Sequence, residues 1–272
     1  MSLEASVQWI SIAVGISLAL AVVGVAMAVL TWYNTKDGGG TPAPPPPTAP
    51  QERSAHAVSE WTAEPADQTV HARYLQLAST KSDINEHLPV LRDMAKQCTR
   101  IAEFGVRGVV SSWAFLDGLS QSVHAGRKEL WLNDLDPCDT KAIVAAGAPL
   151  GVHVTFTQGS DLEVPLPEWT DLAFIDTWHV YGQLRRELAR IAPMTRKIIA
   201  LHDTTVDGEV GEVVRYGGDV EAAAKEIGWP AEDVGGGLWR AVEEFLEAER
   251  GTWKLGRRFT HNNGLTVLVR QG

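Results

Sequence analysis

Cysteine is scarce in this chain. Two thiols, Cys98 and Cys138, occur in 272 residues, with no Cys-x-x-Cys pair. That excludes a disulfide framework and a cysteine-built zinc site, and it fits two reduced thiols in a reducing compartment. Positive charge is also short: 24 Lys and Arg stand against 34 Asp and Glu, a net charge of -10. Gripping nucleic acid takes clustered Lys and Arg, so no nucleic-acid partner is expected. The sequence has no Asn-x-Ser/Thr sequon and no internal repeat. Its longest absence is of charge itself, with no charged side chain from Ser6 to Asn34.

A charge-free apolar run of that length can cross the hydrocarbon of a bilayer, which needs roughly 20 residues. Trp9 lies near one end and Trp32 and Tyr33 at the other, the depths amphipathic rings prefer. A cleaved signal peptide fits less well, because the run is too long and no Lys or Arg precedes it. A buried core helix fits less well still, since the segment is apolar on every face. The expectation is a transmembrane helix over 7–33 and a single-pass membrane protein. Glu4 precedes the span, and Lys36 and Arg53 follow it. This positive bias places the catalytic domain in the cytoplasm.

Asp37 to Pro50 is glycine-rich and then proline-rich, the composition of a hinge followed by a stiff polyproline II spacer. A docking site for a proline-binding module is the alternative. The expected linker runs over 34–81, and one domain follows over 82–272. Ile84, Leu88, Leu91, Met94 and Ala95 share a helical face, with Ser82 or Asp83 as the cap. Strands are expected at 100–105, 129–134, 152–157, 171–176, 197–202, 253–259 and 264–270, with helical patterns between most of them. Such alternation implies an α/β fold with a largely parallel sheet covered on both faces. His261-Asn-Asn-Gly264 is a turn signal that makes the last two strands an antiparallel hairpin.

Ligands of open parallel sheets lie beyond the carboxyl ends of the strands. Those ends read Glu103-Phe-Gly-Val-Arg-Gly108, Asn133-Asp-Leu-Asp136, Gln158-Gly-Ser-Asp161, Asp176-Thr-Trp-His179 and His202-Asp-Thr-Thr205. Each brings a carboxylate to one rim. Gly105 and Gly108 offer bare backbone to a nucleotide-like ligand. His179 is a candidate general base, because an imidazole titrates near working pH. Its plain alternative is capping the next helix. His202 is a ligand, a base or a packing histidine, and Asp176 is a catalytic residue or a helix cap. Arg185, Arg186 and Arg190 read as a solvated helix face. The glycine-rich loop 206–219 reads as a substrate lid or an ordinary surface loop, and Gly235 to Gly237 as a flexible lead.

From about Ser82 to Arg270 the chain resembles the class I S-adenosylmethionine-dependent methyltransferases, and in particular the macrocin O-methyltransferase and cephalosporin-hydroxylase-like branch. The resemblance rests on Glu103 to Gly108, Asp134 or Asp136, Phe174 to His179, Leu201 to Thr204 and the closing hairpin. It implies a Rossmann-like, mostly parallel seven-stranded sheet ending in an antiparallel hairpin. It also implies O-methylation of a small molecule or saccharide, with S-adenosylmethionine as cofactor. The turn at Gly105, Arg107 and Gly108 would cradle the methionine part, with Glu103 near its amino group. Asp134 would hold the ribose hydroxyls, with Asp136 as its rival. Ser160 and Asp161 would lie beside the adenine, and Trp178 could form a wall. Asp176 and Asp203 match positions that hold a divalent ion in relatives. His202 stands where a second carboxylate often stands there, which leaves Mg2+, Mn2+ or no metal open. The usual turn is Gly-x-Gly-x-Gly, whereas here Arg107 lies between two glycines and Val109 follows. A metal-dependent hydroxylase on the same fold and a non-catalytic anchored binding module are the alternative functions.

Overall fold

The computed structural model describes residues 66–272, with side chains from Thr69 onward. The expected transmembrane helix, 7–33, and the 34–65 portion of the linker lie outside the described residues. Among the described residues no helix is long and apolar enough to cross a membrane.

Seven strands form one sheet: β1 (Arg100–Phe104), β2 (Lys128–Asp134), β3 (Val152–Gln158), β4 (Thr170–Ile175), β5 (Thr195–His202), β6 (Trp253–Phe259) and β7 (Leu265–Arg270). Their order is β3-β2-β1-β4-β5-β7-β6. The first five run parallel, and β7 pairs antiparallel with both β5 and β6. Every residue of β4 is buried, as a central strand covered on both faces requires. Strand β6 is the opposite case, exposed over Lys254–Arg258, and its charged side chains blunt the sheet edge.

Side-chain alternation along the strands feeds two cores. Ile101, Leu172, Phe174 and Ala200 face the helices Leu88–Ala95 and Val110–Ser120. Ala102, Ala173, Ile175 and Leu201 face the helices Tyr181–Ile191 and Leu238–Ala248. The period of two follows from the pleat. Strand β1 is the switch point: the chain leaves it toward β2 and β3 and returns on its other side with β4. A crevice opens at such a point, beyond the strand ends.

The linker boundary needs correction. Helix Ala66–Ser79 occupies part of the stretch expected as linker. Val70, Tyr74 and Leu77, spaced i, i+4, i+7, pack on the first core. The Arg92 guanidinium lies 5.1 Å over the Tyr74 ring, and Arg92 and His71 both pair with buried Asp117. Ahead of the next helix Ser82 Oγ accepts the Asn85 N–H at 3.0 Å, but the N-cap positions are Ile84 and His87, which make no side-chain capping bond. The helix opens as a 3-10 turn over Asn85–His87, and the α-helix starts only at Leu88. Pro89 sits at its first turn, where a missing N–H costs nothing.

Candidate functional site

The turn after β1 adopts left-handed backbone at Gly105 (φ 82°), Arg107 (φ 42°) and Val109 (φ 61°). Left-handed backbone therefore recurs at every second residue, the register of Gly-x-Gly-x-Gly, although only the first position is glycine. A β-branched residue in this region is strained. Gly105 has a steric reason as well, because a Cβ there would lie 1.9 Å from the Asp176 carbonyl oxygen. Gly108, singled out in the sequence, has neither reason: its φ is not positive and a Cβ would meet only Val110, at 3.8 Å.

Asp134 at the end of β2 holds this turn. Its Oδ2 accepts the N–H of Val106 and of Arg107, both at 2.8 Å, and its Oδ1 accepts the Asp136 N–H at 2.9 Å. The Arg107 side chain reaches outward to Asp83 at 2.6 Å. Asp136 is partly exposed; burial, and then the Asp134 charge, raise its pKa.

Glu103 departs from the role the resemblance implied. It is fully buried, with one carboxylate oxygen bonded by Ser111 Oγ and the other by Ser112 Oγ at 2.6 Å. Side chains alternate along β1, and Glu103 falls on the face covered by the helix Val110–Ser120, where both serines lie. Burial pushes its pKa up to about 8 against the two hydroxyl donors, and the Asp176 and Asp134 charges push the same way.

Asp161 also points inward. Its Oδ1 accepts from Gln183 Nε2 at 3.1 Å, and the same amide donates to Glu187 at 2.8 Å. Burial, then the Asp161 charge, hold the Glu187 carboxyl well above the usual range. Ser160 Oγ accepts the Leu162 N–H at 3.3 Å and stays partly exposed. Arg190 binds the carbonyls of Asp161 and Val164 at 2.7 and 2.6 Å, so it fastens the loop after β3 instead of lying on a solvated face. Arg186 pairs with buried Asp233 at 2.8 Å and stacks on Trp229.

The ends of β4 and β5 carry a second constellation. Asp176 and His179 lie in the loop before the helix Tyr181–Ile191; His202 ends β5, and Asp203 follows with φ 56°. His179 Nε2 lies 3.2 Å from Asp176 Oδ1 and 3.1 Å from Asp203 Oδ2. His202 Nδ1 lies 3.3 Å from the same Asp176 oxygen and 3.4 Å from the same Asp203 oxygen. The four atoms close a quartet in which nitrogen and oxygen alternate. His202 is 2 % and Asp203 5 % exposed.

The other nitrogen of His179 is backed by Asp207 Oδ2 at 3.2 Å and Glu212 Oε2 at 3.3 Å. Arg215 in turn grips both oxygens of Asp207, at 2.5 and 2.9 Å. Burial opposes charge on His179, yet Asp203 and the other three carboxylates outweigh it and raise its pKa well above the ordinary value. His202 is likewise pushed up to about 10, burial being overcome by the Asp176 charge. Asp176 and Asp203 are held below the usual carboxylate range in spite of burial, by His202 and His179 respectively. Carboxylates on both sides of the His179 ring favour its protonated form, which works against a general-base role.

Sequence reasoning missed Asp207, Glu212, Arg215 and His87. The first three lie in the loop 206–219 or its helix Glu212–Arg215. This loop is fastened down: Val206 N–H bonds the Asn263 carbonyl at 2.9 Å, and Gly211 N–H bonds that of Gly235 at 2.9 Å. A Cβ would meet the Glu232 carbonyl oxygen at 2.8 Å from Gly236 and the Gly208 carbonyl oxygen at 2.3 Å from Gly237, so close packing explains these two glycines. His87 is fully buried, its Nε2 lies 3.0 Å from the His261 carbonyl, and its ring centre is 5.7 Å from that of His202. The signal for these residues was weak: acids spaced along a glycine-rich loop, and a histidine on a helix start.

No family model matches the chain, and no curated protein matches it. Solved structures do resemble it. An O-methyltransferase from Bacillus cereus in complex with SAH is 15% identical, over 77% of this chain and 94% of that one, with a TM-score of 0.47. An SAH-bound methyltransferase from Podospora anserina is 13% identical over 80% and 100%, with a TM-score of 0.45. The O-methyltransferase TomG from Streptomyces achromogenes, involved in tomaymycin synthesis and in complex with SAM, is 15% identical over 78% and 92%, with a TM-score of 0.44.

Proposed function

We propose that the described unit is an S-adenosylmethionine-dependent methyltransferase that acts on an oxygen of a small molecule or saccharide. One observation carries this reading: Gly105 and Asp176 touch through their backbones, which sets the β1 turn directly beside the quartet. A nucleotide-type cofactor on the turn would therefore lie next to an acceptor at β4 and β5. The residues fit the cofactor at the ribose position. Asp134 Oδ1 accepts one N–H, and a carboxylate oxygen can accept two. Asp134 would hold one ribose hydroxyl through its remaining acceptor position, the turn 105–109 would face the methionine part, and Ser160 would face the adenine. Glu103 and Asp161 support these elements from within.

The cofactor supplies an electrophilic methyl group; the protein must align the acceptor oxygen and stabilise its anion. Asp176, His202 and Asp203 would hold a divalent ion, Mg2+ or Mn2+, for that second task, and their ligand atoms lie within 4.8 Å of one another. Calorimetry with S-adenosylmethionine on the full chain tests the reading. Binding that Asp134→Ala removes supports it, and no heat at millimolar cofactor overturns it.

A second reading, metal-dependent hydroxylation on the same fold, draws on the two imidazoles that flank the carboxylates. Oxygen consumption by the Fe2+-loaded protein, absent with Mg2+, would separate it from methyl transfer.

A further inference from the structure

We propose that His179 is a metal ligand, and that Asp176, His179, His202 and Asp203 together form an N2O2 site for a zinc-like first-row transition ion instead of a magnesium site. The inference rests on the divalent-ion part of the proposed function, keeps its three donors and replaces Mg2+ with a zinc-like ion. It is independent of S-adenosylmethionine.

The first argument is distance. Each adjacent pair around the quartet is separated by 3.1 to 3.4 Å. Edges of about 3.3 Å put the centre about 2.0 Å from each donor in a puckered tetrahedron and about 2.3 Å in a flat square, which brackets the roughly 2.0–2.2 Å of zinc bonds to nitrogen and oxygen. Asp176, His202 and Asp203 already lie within 4.8 Å of one another, and His179 Nε2, 3.1–3.2 Å from both carboxylates, would join them by a side-chain adjustment, its other nitrogen lying in a second donor group with Asp207 and Glu212.

The second argument is chemistry. Magnesium takes oxygen ligands in an octahedron and keeps several waters, whereas imidazole nitrogens suit zinc and its transition-series neighbours. Two of the four donors here are imidazoles.

The third argument is the outer shell. A metal-bound histidine turns its remaining N–H toward a carboxylate, which fixes the ring and strengthens the ligand. His179 does this twice over, with Asp207 and Glu212 behind Nδ1 and Arg215 fixing Asp207.

The fourth argument is unmet bonding. Asp203 Oδ1 and His202 Nε2 are buried and lack hydrogen-bond partners, on residues that are more than nine-tenths buried. Neither atom is one of the four donors: Asp203 Oδ1 belongs to the ligating carboxylate and is open to a second bond to the ion, whereas His202 Nε2 faces away from the quartet. Asp203 also holds left-handed backbone, the kind of strain that collects at ligand sites.

The test titrates Co2+ into the full chain, freed of metal and without cofactor. One Co2+ per chain with the intense visible absorption of a low-coordinate site is expected. One equivalent of Zn2+ should displace it, and excess Mg2+ should not. His179→Ala should weaken the absorption and lower the Co2+ affinity. Asp207→Asn, which spares the four ligands, should keep one ion and weaken it about 10- to 100-fold, the usual cost of an outer-shell partner. The pale spectrum of octahedral Co2+, displacement by Mg2+, or no binding to the wild-type chain would each overturn the proposal. Binding of two ions, one lost in Asp207→Asn, would overturn the outer-shell assignment. Failure of the cofactor calorimetry with a normal Co2+ spectrum would leave this site standing and remove only the methyltransferase reading.

Discussion

The two halves of the rim treat their polar groups differently. At β1 and β2 the carboxylates are spent on structure: Ser111 and Ser112 satisfy both Glu103 oxygens, and three backbone N–H groups bind Asp134. At β4 and β5 the donors crowd one another, and Asp203 Oδ1 and His202 Nε2 have no hydrogen-bond partner. A satisfied buried acid fixes a loop, and an unsatisfied one waits for something to bind. A carboxylate at a strand end is therefore poor evidence for a ligand until its partners are counted.

The largest expected effect breaks the β4–β5 half. Asp176→Ala removes the oxygen shared by both histidines, and transition-ion affinity should fall by about 100-fold or more, beyond the loss of an outer-shell partner. Metal titration followed by absorption checks it, and the β1 turn should be unaffected.

Next comes Asp134→Ala. It leaves three N–H groups without their acceptor, including that of buried Val106. Unfolding in urea should show a loss of about 2–3 kcal/mol, in line with unsatisfied buried donors, while the Co2+ spectrum stays unchanged. A change in that spectrum would show that the halves are coupled.

Glu103→Gln gives an effect that depends on pH. Burial raises the folded-state pKa of Glu103 to about 8, above the ordinary carboxyl value. The folded state thus binds the proton more tightly, so the contribution of Glu103 to stability is fully present below its unfolded pKa and is lost as pH rises through the folded one. Between these values stability should fall by up to about 1.4 kcal/mol per pH unit from this group. Denaturation midpoints taken at intervals from pH 5 to 8 should show that slope in the wild type and less of it in Glu103→Gln.

The smallest effect belongs to Arg107→Gly. It relieves left-handed backbone, worth about 1 kcal/mol, and removes an exposed ion pair with Asp83, worth about 0–1 kcal/mol. Net stability should move by less than about 1 kcal/mol. Cofactor affinity measured by calorimetry should be equal or higher, since bare backbone then faces the ligand.

The sheet was largely legible in the sequence because strands are written locally. The apolar run at 171–176 appears as β4 within one residue at each end, and His261-Asn-Asn-Gly264 turns the chain between β6 and β7 as its residues predict. Helix Ala66–Ser79 was missed because its polar surface outweighs Val70 and Tyr74 until the core they pack on is known. The site residues are split in the same way. Asp176, His179, His202 and Asp203 were singled out at strand ends, and the metal role of Asp176 and Asp203 came from the family resemblance. Their shared geometry was not found, because an expected base and an expected ligand turn out to face the same two oxygens.

By itself, the sequence determined which segments become strands, where the closing hairpin turns, and that carboxylates and histidines gather at one rim, because periodicity and turn chemistry act over a few residues. Only the tertiary structure decided which of those groups are satisfied. Ser111 and Ser112 reach Glu103 because a helix folds over β1, and Asp207 and Glu212 stand behind His179 because a fastened loop carries them there. Hydrogen-bond partners and ligand distances are set by packing between segments far apart in the chain, and no local pattern encodes them.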